Sequence, residues 1–208
     1  TLVTEIRTFV GSFYEDTFTA FWSIQQANDY FKNFHGRFGW DNRNSPLVIF
    51  ENYASGNIDA PLSNANLDTP SPPWMLLVGY DFNNGNPAYD LDMMGHEFTH
   101  GLLFEELGGK EQYSGENGIL IEGICDVFGE LVEWKTIGNN NLIWGERFKG
   151  YADGRAAIPR SFVKPNNFEM PDTYEGDYWS NIFVGYAPEY FNSTVFSHWF
   201  YLLAVGNS

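Results

Sequence analysis

The chain has 208 residues and a mass of 23.8 kDa, room for one domain or for two small lobes sharing a cleft. With 43% hydrophobic residues, among them 19 Phe, 12 Tyr and 7 Trp, it can bury a sizeable core, which excludes intrinsic disorder, and no apolar run approaches the roughly 20 residues of a membrane span. Acidic residues outnumber basic ones 27 to 11, and the net charge of −16 repels phosphate backbones, which argues against a nucleic-acid partner.

The single cysteine, Cys125, permits no intrachain disulfide and is expected to be a buried, inert thiol. No signal peptide is visible, and both ends read as cut from something longer. In chain order, the N-terminus soon enters a helical pattern. Residues 17–34 carry aromatics at helical spacing (Phe18, Phe21, Trp22, Tyr30, Phe31, Phe34), and Gly36 suits the end of that helix. Pro46–Phe50 reads as a buried strand, 55–73 as a loop rich in Gly, Asn, Pro and Ser, Trp74–Val78 as a second strand, and Asn83–Pro87 as a turn. Asp90 is placed to cap a helix running to Leu107 and stopped by Gly108-Gly109; another helix is expected over about 118–137, stopped by Gly138. Residues 139–190 read as irregular, with prolines at 159, 165, 171 and 188, before a final helix over about 192–205. Strands early and helices late give an α+β class.

His96-Glu97-Phe98-Thr99-His100 has the form H-E-x-x-H. On a helix, positions four apart share a face, so both imidazoles can reach one metal ion, while Glu97 points beside it, as a base acting on water requires. Five-residue patterns also arise by chance, and the next helix changes the odds. Glu122 lies 22 residues past His100, where a helix–turn–helix would bring it in as a third ligand. Two histidines and a glutamate with one open position form a known catalytic zinc set. Asp126 falls on the same helical face as Glu122 and could accept the other ring N–H of a ligating histidine. A surface role for it fits poorly with its apolar neighbours Ile124, Cys125, Val127 and Phe128.

Together with the run Gly118–Glu133, these residues make the chain resemble the thermolysin-like neutral zinc metalloendopeptidases, thermolysin being a type example of the His₂Glu site. Asp29–Arg37, Pro171–Tyr174, Asn192-Ser193 and Trp199–Leu203 are similar to further landmarks of that family. The resemblance implies a zincin with a mixed strand/helix lobe over 1–107, a helical lobe over 108–208 truncated at its C-terminus, and the active-site helix between them. It implies that His96, His100 and Glu122 bind zinc and that Glu97 is general base and proton shuttle. It further implies that Tyr113 stabilises an oxyanion and Arg160 holds a substrate carbonyl. Asp92, Glu133 and Glu146 fall at calcium-binding positions; Asn141 and Ile143 stand at two other positions of a double site, so one calcium is expected. Met93, Trp144, Phe148 and Pro159 map to the walls of an apolar pocket for the residue after the scissile bond. Bulky Trp144 and Phe148 suggest that it is shallow and prefers small or medium apolar side chains.

The sequence also departs from the family. Tyr190 stands where a histidine normally donates to the oxyanion, Thr194 replaces a glycine, Gly185 is near the place of an aspartate, and Ile121 replaces a polar residue that supports the second histidine. His198 is eight residues past Tyr190, about 12 Å along a helix, and is no substitute. A tyrosine can donate a hydrogen bond but carries no positive charge at neutral pH. The expected function is a zinc endopeptidase acting on peptide or protein substrates, with activity reduced by Tyr190; the resemblance implies that it is secreted. The alternative is a zinc-binding, weakly active or inactive domain with a binding or assembly role. The remaining parts of a longer precursor, or a partner protein, are expected to complete it.

Overall fold

The structure, a computed structural model, describes residues 3–8, 14–51, 65–68, 74–78, 87–109, 113–147, 159–181 and 188–206. β1 (Val3–Thr8) is followed by α1 (Tyr14–His35), then β2 (Leu47–Glu51), β3 (Ala65–Asp68) and β4 (Trp74–Val78). The four strands form one sheet in the order β1-β2-β4-β3, with β1, β2 and β4 parallel and β3 antiparallel at the edge. Central β2 buries Leu47, Val48 and Ile49 in succession, as a parallel strand covered on both faces does. Two strands depart from the sequence reading. β1 lies where a helical pattern was expected to set in, and β3 lies inside the stretch read as loop, where antiparallel pairing with β4 outweighs a turn-like composition. Asn83–Asn86 of the expected turn lie outside the described residues.

α1 is set by a stripe at Ala20, Ile24, Ala27 and Phe31, all buried at helical spacing. The aromatic pattern that announced it is only partly inward: Phe18 is 72% and Phe34 58% exposed, whereas Tyr30 and Phe31 are buried. α1 ends at Gly36, whose φ of 66° is the left-handed conformation glycine adopts freely.

α2 (Leu91–Glu106) and α3 (Gly115–Ile137) follow. Asp90 takes the extended N-cap conformation of α2, but its side chain makes no capping hydrogen bond, contrary to expectation. The two helices touch backbone to backbone. A Cβ built on Gly129 of α3 would stand 2.2 Å from the Asp92 carbonyl oxygen of α2, and one on Gly95 would stand 3.0 Å from Gly129 Cα. This approach places the inner faces of α2 and α3 against one another.

The stretch read as irregular contains a short antiparallel ladder, β5 (Ile143–Trp144) with β6 (Arg160–Ser161), and a 3₁₀ turn at Pro165–Phe168. α4 (Pro188–Val205) starts four residues earlier than expected, with proline in its first turn, and crosses α3 where Gly123 leaves room for Phe196. The core runs from the sheet through α1 and α2 to α3, and includes Phe31, Leu76, Met94, Phe98 and Val132.

Candidate active site

His96 and His100 lie one turn apart on the face of α2 that meets α3. Their Nε2 atoms are 3.1 Å apart. Glu122, 1% exposed on α3, brings Oε2 to 3.3 Å from His96 Nε2 and Oε1 to 3.4 Å from His100 Nε2. Three side chains from two helices thus aim donor atoms at one point.

The donors fit a divalent cation. Glu122 Oε2 is buried and receives no hydrogen bond. Burial alone would lower the His96 pKa, but the Glu122 and Asp126 carboxylates override it and push the imidazole up to about 10. Glu122 is buried too, yet His96 and His100 hold its carboxyl well below the usual range. Nitrogen plus carboxylate ligands in a compact set suit zinc.

Asp126 organises the ground behind His96. Its Oδ1 is 2.8 Å from His96 Nδ1, which leaves Nε2 facing His100 and Glu122. Arg160 on β6 donates Nε to Asp126 Oδ2 at 2.7 Å and its terminal NH₂ to Oδ1. Ser193 of α4 donates to the same carboxylate from 3.4 Å. The guanidinium of Arg160 lies over the ring of Trp144, which itself packs 5.3 Å from the His96 ring. The guanidinium is buried on Asp126. Neither the arginine–carboxylate fork nor the Ser193 contact was read from the sequence, because both close across loops of irregular composition.

Glu97 is also buried, adjoining the ligands on α2. Tyr113 precedes α3 and donates its hydroxyl to Glu122 Oε1. Tyr190, in the first turn of α4, interacts with Tyr113. Burial, then the Glu122 charge, push the Tyr190 phenol up to about 12, and the same causes raise Tyr113 further. Both are neutral hydrogen-bond donors at ordinary pH. His198 donates Nδ1 to the Phe162 carbonyl at 2.7 Å. Cys125 is buried, as expected, with its sulfur within 4.8 Å of ligand atoms of His96 and His100.

Of the pocket residues, Met93 and Trp144 are buried, Pro159 is half-buried, and Phe148, like Gly185, lies outside the described residues. Ile121 is buried, and Thr194 spends its hydroxyl on the Pro171 and Phe191 carbonyls.

A second acidic centre sits at the start of α2. Asp90, Asp92 and Glu146 place carboxylate oxygens within 4.8 Å of one another. Asp92 Oδ2 accepts from Gly145 N at 2.6 Å and Asp90 Oδ2 from Arg147 N at 3.2 Å, so both tie α2 to the loop after β5. Glu133 joins through Asn139, whose Nδ2 reaches both Glu133 and Glu146 at 2.8 Å. Asp90 and the nearby buried Glu130 were not singled out as ligands from sequence; Asp90 had been assigned to capping. Burial, then neighbouring carboxylates, raise Asp92 well above the carboxylate range and Glu130 to about 9.

Residues 5–103 match a family model described as the thermolysin metallopeptidase catalytic domain, and residues 110–208 match the thermolysin metallopeptidase alpha-helical domain. Thermolysin of Alicyclobacillus acidocaldarius subsp. acidocaldarius is 29% identical over 151 residues, which is 72% of this chain and 26% of that protein. The transglutaminase-activating metalloprotease of Streptomyces mobaraensis is 27% identical over 191 residues, covering 90% of this chain and 23% of that protein. The chain spans about a quarter of the length of these curated relatives. Among solved structures, the precursor of protealysin, a metalloproteinase from Serratia proteamaculans, superposes with a TM-score of 0.70 at 18% identity, covering 96% of this chain and 68% of that one.

Proposed function

This chain belongs to the thermolysin family of metallopeptidases, and from that premise we propose that it is a zinc-dependent endopeptidase. The observation that carries the reading is the convergence of His96 Nε2, His100 Nε2 and the Glu122 carboxylate. These three residues would hold the metal. Bound zinc would supply Lewis acidity toward the scissile carbonyl and lower the pKa of a water molecule. The rest falls to the chain's own groups. Asp126, pinned by Arg160, fixes the His96 ring so that Nε2 faces inward. Glu97 takes the proton of the attacking water and returns it to the leaving amine. Tyr113 and Tyr190 donate to the developing oxyanion without carrying charge.

Met93, Trp144, Phe148 and Pro159 would form the walls of the pocket for the residue after the scissile bond. The bulk of Trp144 and Phe148 supports a shallow pocket for small or medium apolar side chains. Asp92, Glu133 and Glu146, with Asp90 added, would hold calcium; the unpartnered Oδ1 of Asp92 and Oε2 of Glu146 support this. Division at about residue 107, extracellular location and completion by other parts of a precursor belong to the same reading. No helix among the described residues is long and apolar enough to cross a membrane.

One feature favours a second reading, a zinc-binding domain with little turnover that serves binding or assembly. It is Tyr190, a neutral phenol at the place of the family's histidine. Casein hydrolysis by the purified protein, with Glu97→Ala as control and zinc counted per chain, separates the two. Hydrolysis lost in the variant supports the enzyme. No hydrolysis by either protein, with one zinc per chain, supports the second reading.

A further inference from the structure

We propose that the chain carries a carbohydrate-binding cleft between α1 and the loop that follows it, built from residues that take no part in the metal centre. The cleft has a volume of ≈ 470 Å³, within the roughly 300–1,000 Å³ of small-molecule sites. Its floor is one face of α1, where Gln25, Asn28, Asp29 and Lys32 follow the spacing of neighbours on a helix. Its other wall is the loop carrying Phe38, Asn42 and Asn44.

The wall is held in place. Asn42 Oδ1 accepts from Phe38 N at 3.1 Å, and Asn44 N donates to the Phe38 carbonyl at 2.8 Å. Arg43 is committed to Asp41 and to Glu105 of α2. On the floor, Gln25 Nε2 donates to Asp29 Oδ1 at 2.9 Å and fixes both side chains. Asn28, 8% exposed, lies beneath them.

The chemistry of the unused groups selects the ligand class. Lys32 Nζ and the amide NH₂ of Asn42 donate; Gln25 Oε1 and Asp29 Oδ2 accept. An anion wants donors only and is repelled by Asp29. A cation wants acceptors only and meets Lys32 and Arg43. A hydroxyl group is donor and acceptor at once, and neighbouring sugar hydroxyls match amides and a carboxylate set side by side. The Phe38 ring, 54% exposed at the lip, offers an apolar surface for the C–H face of a pyranose. The site therefore fits a neutral oligosaccharide, and it stands whether or not the metal centre cleaves peptides.

The test is titration of the ¹⁵N-labelled chain with maltohexaose, cellohexaose and chitohexaose, and with a high-mannose glycan released from glycoprotein, followed by amide shifts. The first three probe a polysaccharide source and the last a glycoprotein source. Saturable shifts confined to residues 25–44 with at least one sugar are expected. Phe38→Ala and Lys32→Ala, both at exposed positions, should weaken that binding roughly tenfold each. No saturable shift with any of the four at millimolar concentration would overturn the proposal, as would shifts elsewhere or binding indifferent to Phe38→Ala and Lys32→Ala.

Discussion

The guanidinium carbon of Arg160 lies 3.4 Å from the centre of the Trp144 ring while its nitrogens fork onto Asp126. Aromatic face, cation, carboxylate and the imidazole of His96 form one line, so a change on the ladder β5–β6 is felt at the ring of an expected metal ligand.

Arg160→Met should therefore act twice. It leaves the Asp126 carboxylate buried with its main partner gone, which costs about 3–5 kcal/mol in a buried pair and lowers Tm. It also loosens His96, so zinc affinity, measured by competition with a chromogenic chelator, should fall about 10–100-fold. Asp126→Asn should give the affinity loss with a smaller loss of Tm. Unchanged affinity in both variants would show that the line does not reach the metal.

Cys125 is near enough to the histidines to compete as a ligand. We expect that it does not. Cys125→Ser should keep one zinc per chain, and the cobalt-substituted protein should lack a thiolate-to-metal charge-transfer band. Such a band in the wild-type chain, lost in Cys125→Ser, would mean a fourth protein ligand and a blocked reaction position.

If Tyr190 donates to the oxyanion, Tyr190→Phe should reduce kcat by up to roughly 10²-fold with KM little changed. Tyr190→His should match or exceed the wild-type rate, because an imidazolium adds charge to the donor. Equal rates for the Phe variant and the wild type would remove Tyr190 from the catalytic groups.

The carboxylates around the start of α2 repel one another, and Asp90 Oδ1, Asp92 Oδ1 and Glu146 Oε2 receive no hydrogen bond. Adding calcium to the chelated protein should raise Tm in proportion to RT ln(1 + [Ca²⁺]/Kd). The rise should vanish in Asp92→Asn and in Glu146→Gln. Differential scanning calorimetry across a calcium series checks this.

Asp41 gives a pH dependence away from both centres. Burial alone would raise its pKa, but the Ser45 side chain, the backbone N–H groups of Arg43 and Ser45, and the Arg43 charge together pull it below 3.8. A depressed carboxyl stabilises the fold above its unfolded pKa, and that contribution is lost as pH falls through the folded value. The wild type should therefore be more stable than Asp41→Asn near neutrality, and the gap in Tm should close below about pH 4. A gap independent of pH would assign the effect to shape alone.

The convergence of His96, His100 and Glu122 was legible because its information is local. Two histidines four apart and a glutamate one helix later depend only on helical period and a tight helix pair, and both could be read from residues 91–137. The ends of α1, α2 and α3 were legible at Gly36, Gly108 and Gly138 for the same reason. What could not be read depends on partners distant in the chain. β3 is a strand only because β4 offers its edge. Arg160 finds Asp126 across 34 residues of chain, much of it without periodic pattern. Asp90 does stand at the N-cap of α2, but its side chain accepts from the backbone of Arg147, and no local pattern announces the return of that loop.

The bare backbone contact at Gly129 carries a consequence for genetics. Glu122 lies seven residues away on α3, close to two turns. A methyl group inserted at Gly129 acts as a wedge at one end of a lever, and the carboxylate at the other end swings out of register with the imidazoles. A mutant hunt for proteins that have lost their metal should thus recover Gly129→Ala beside changes to the coordinating side chains, although that substitution removes no donor atom at all.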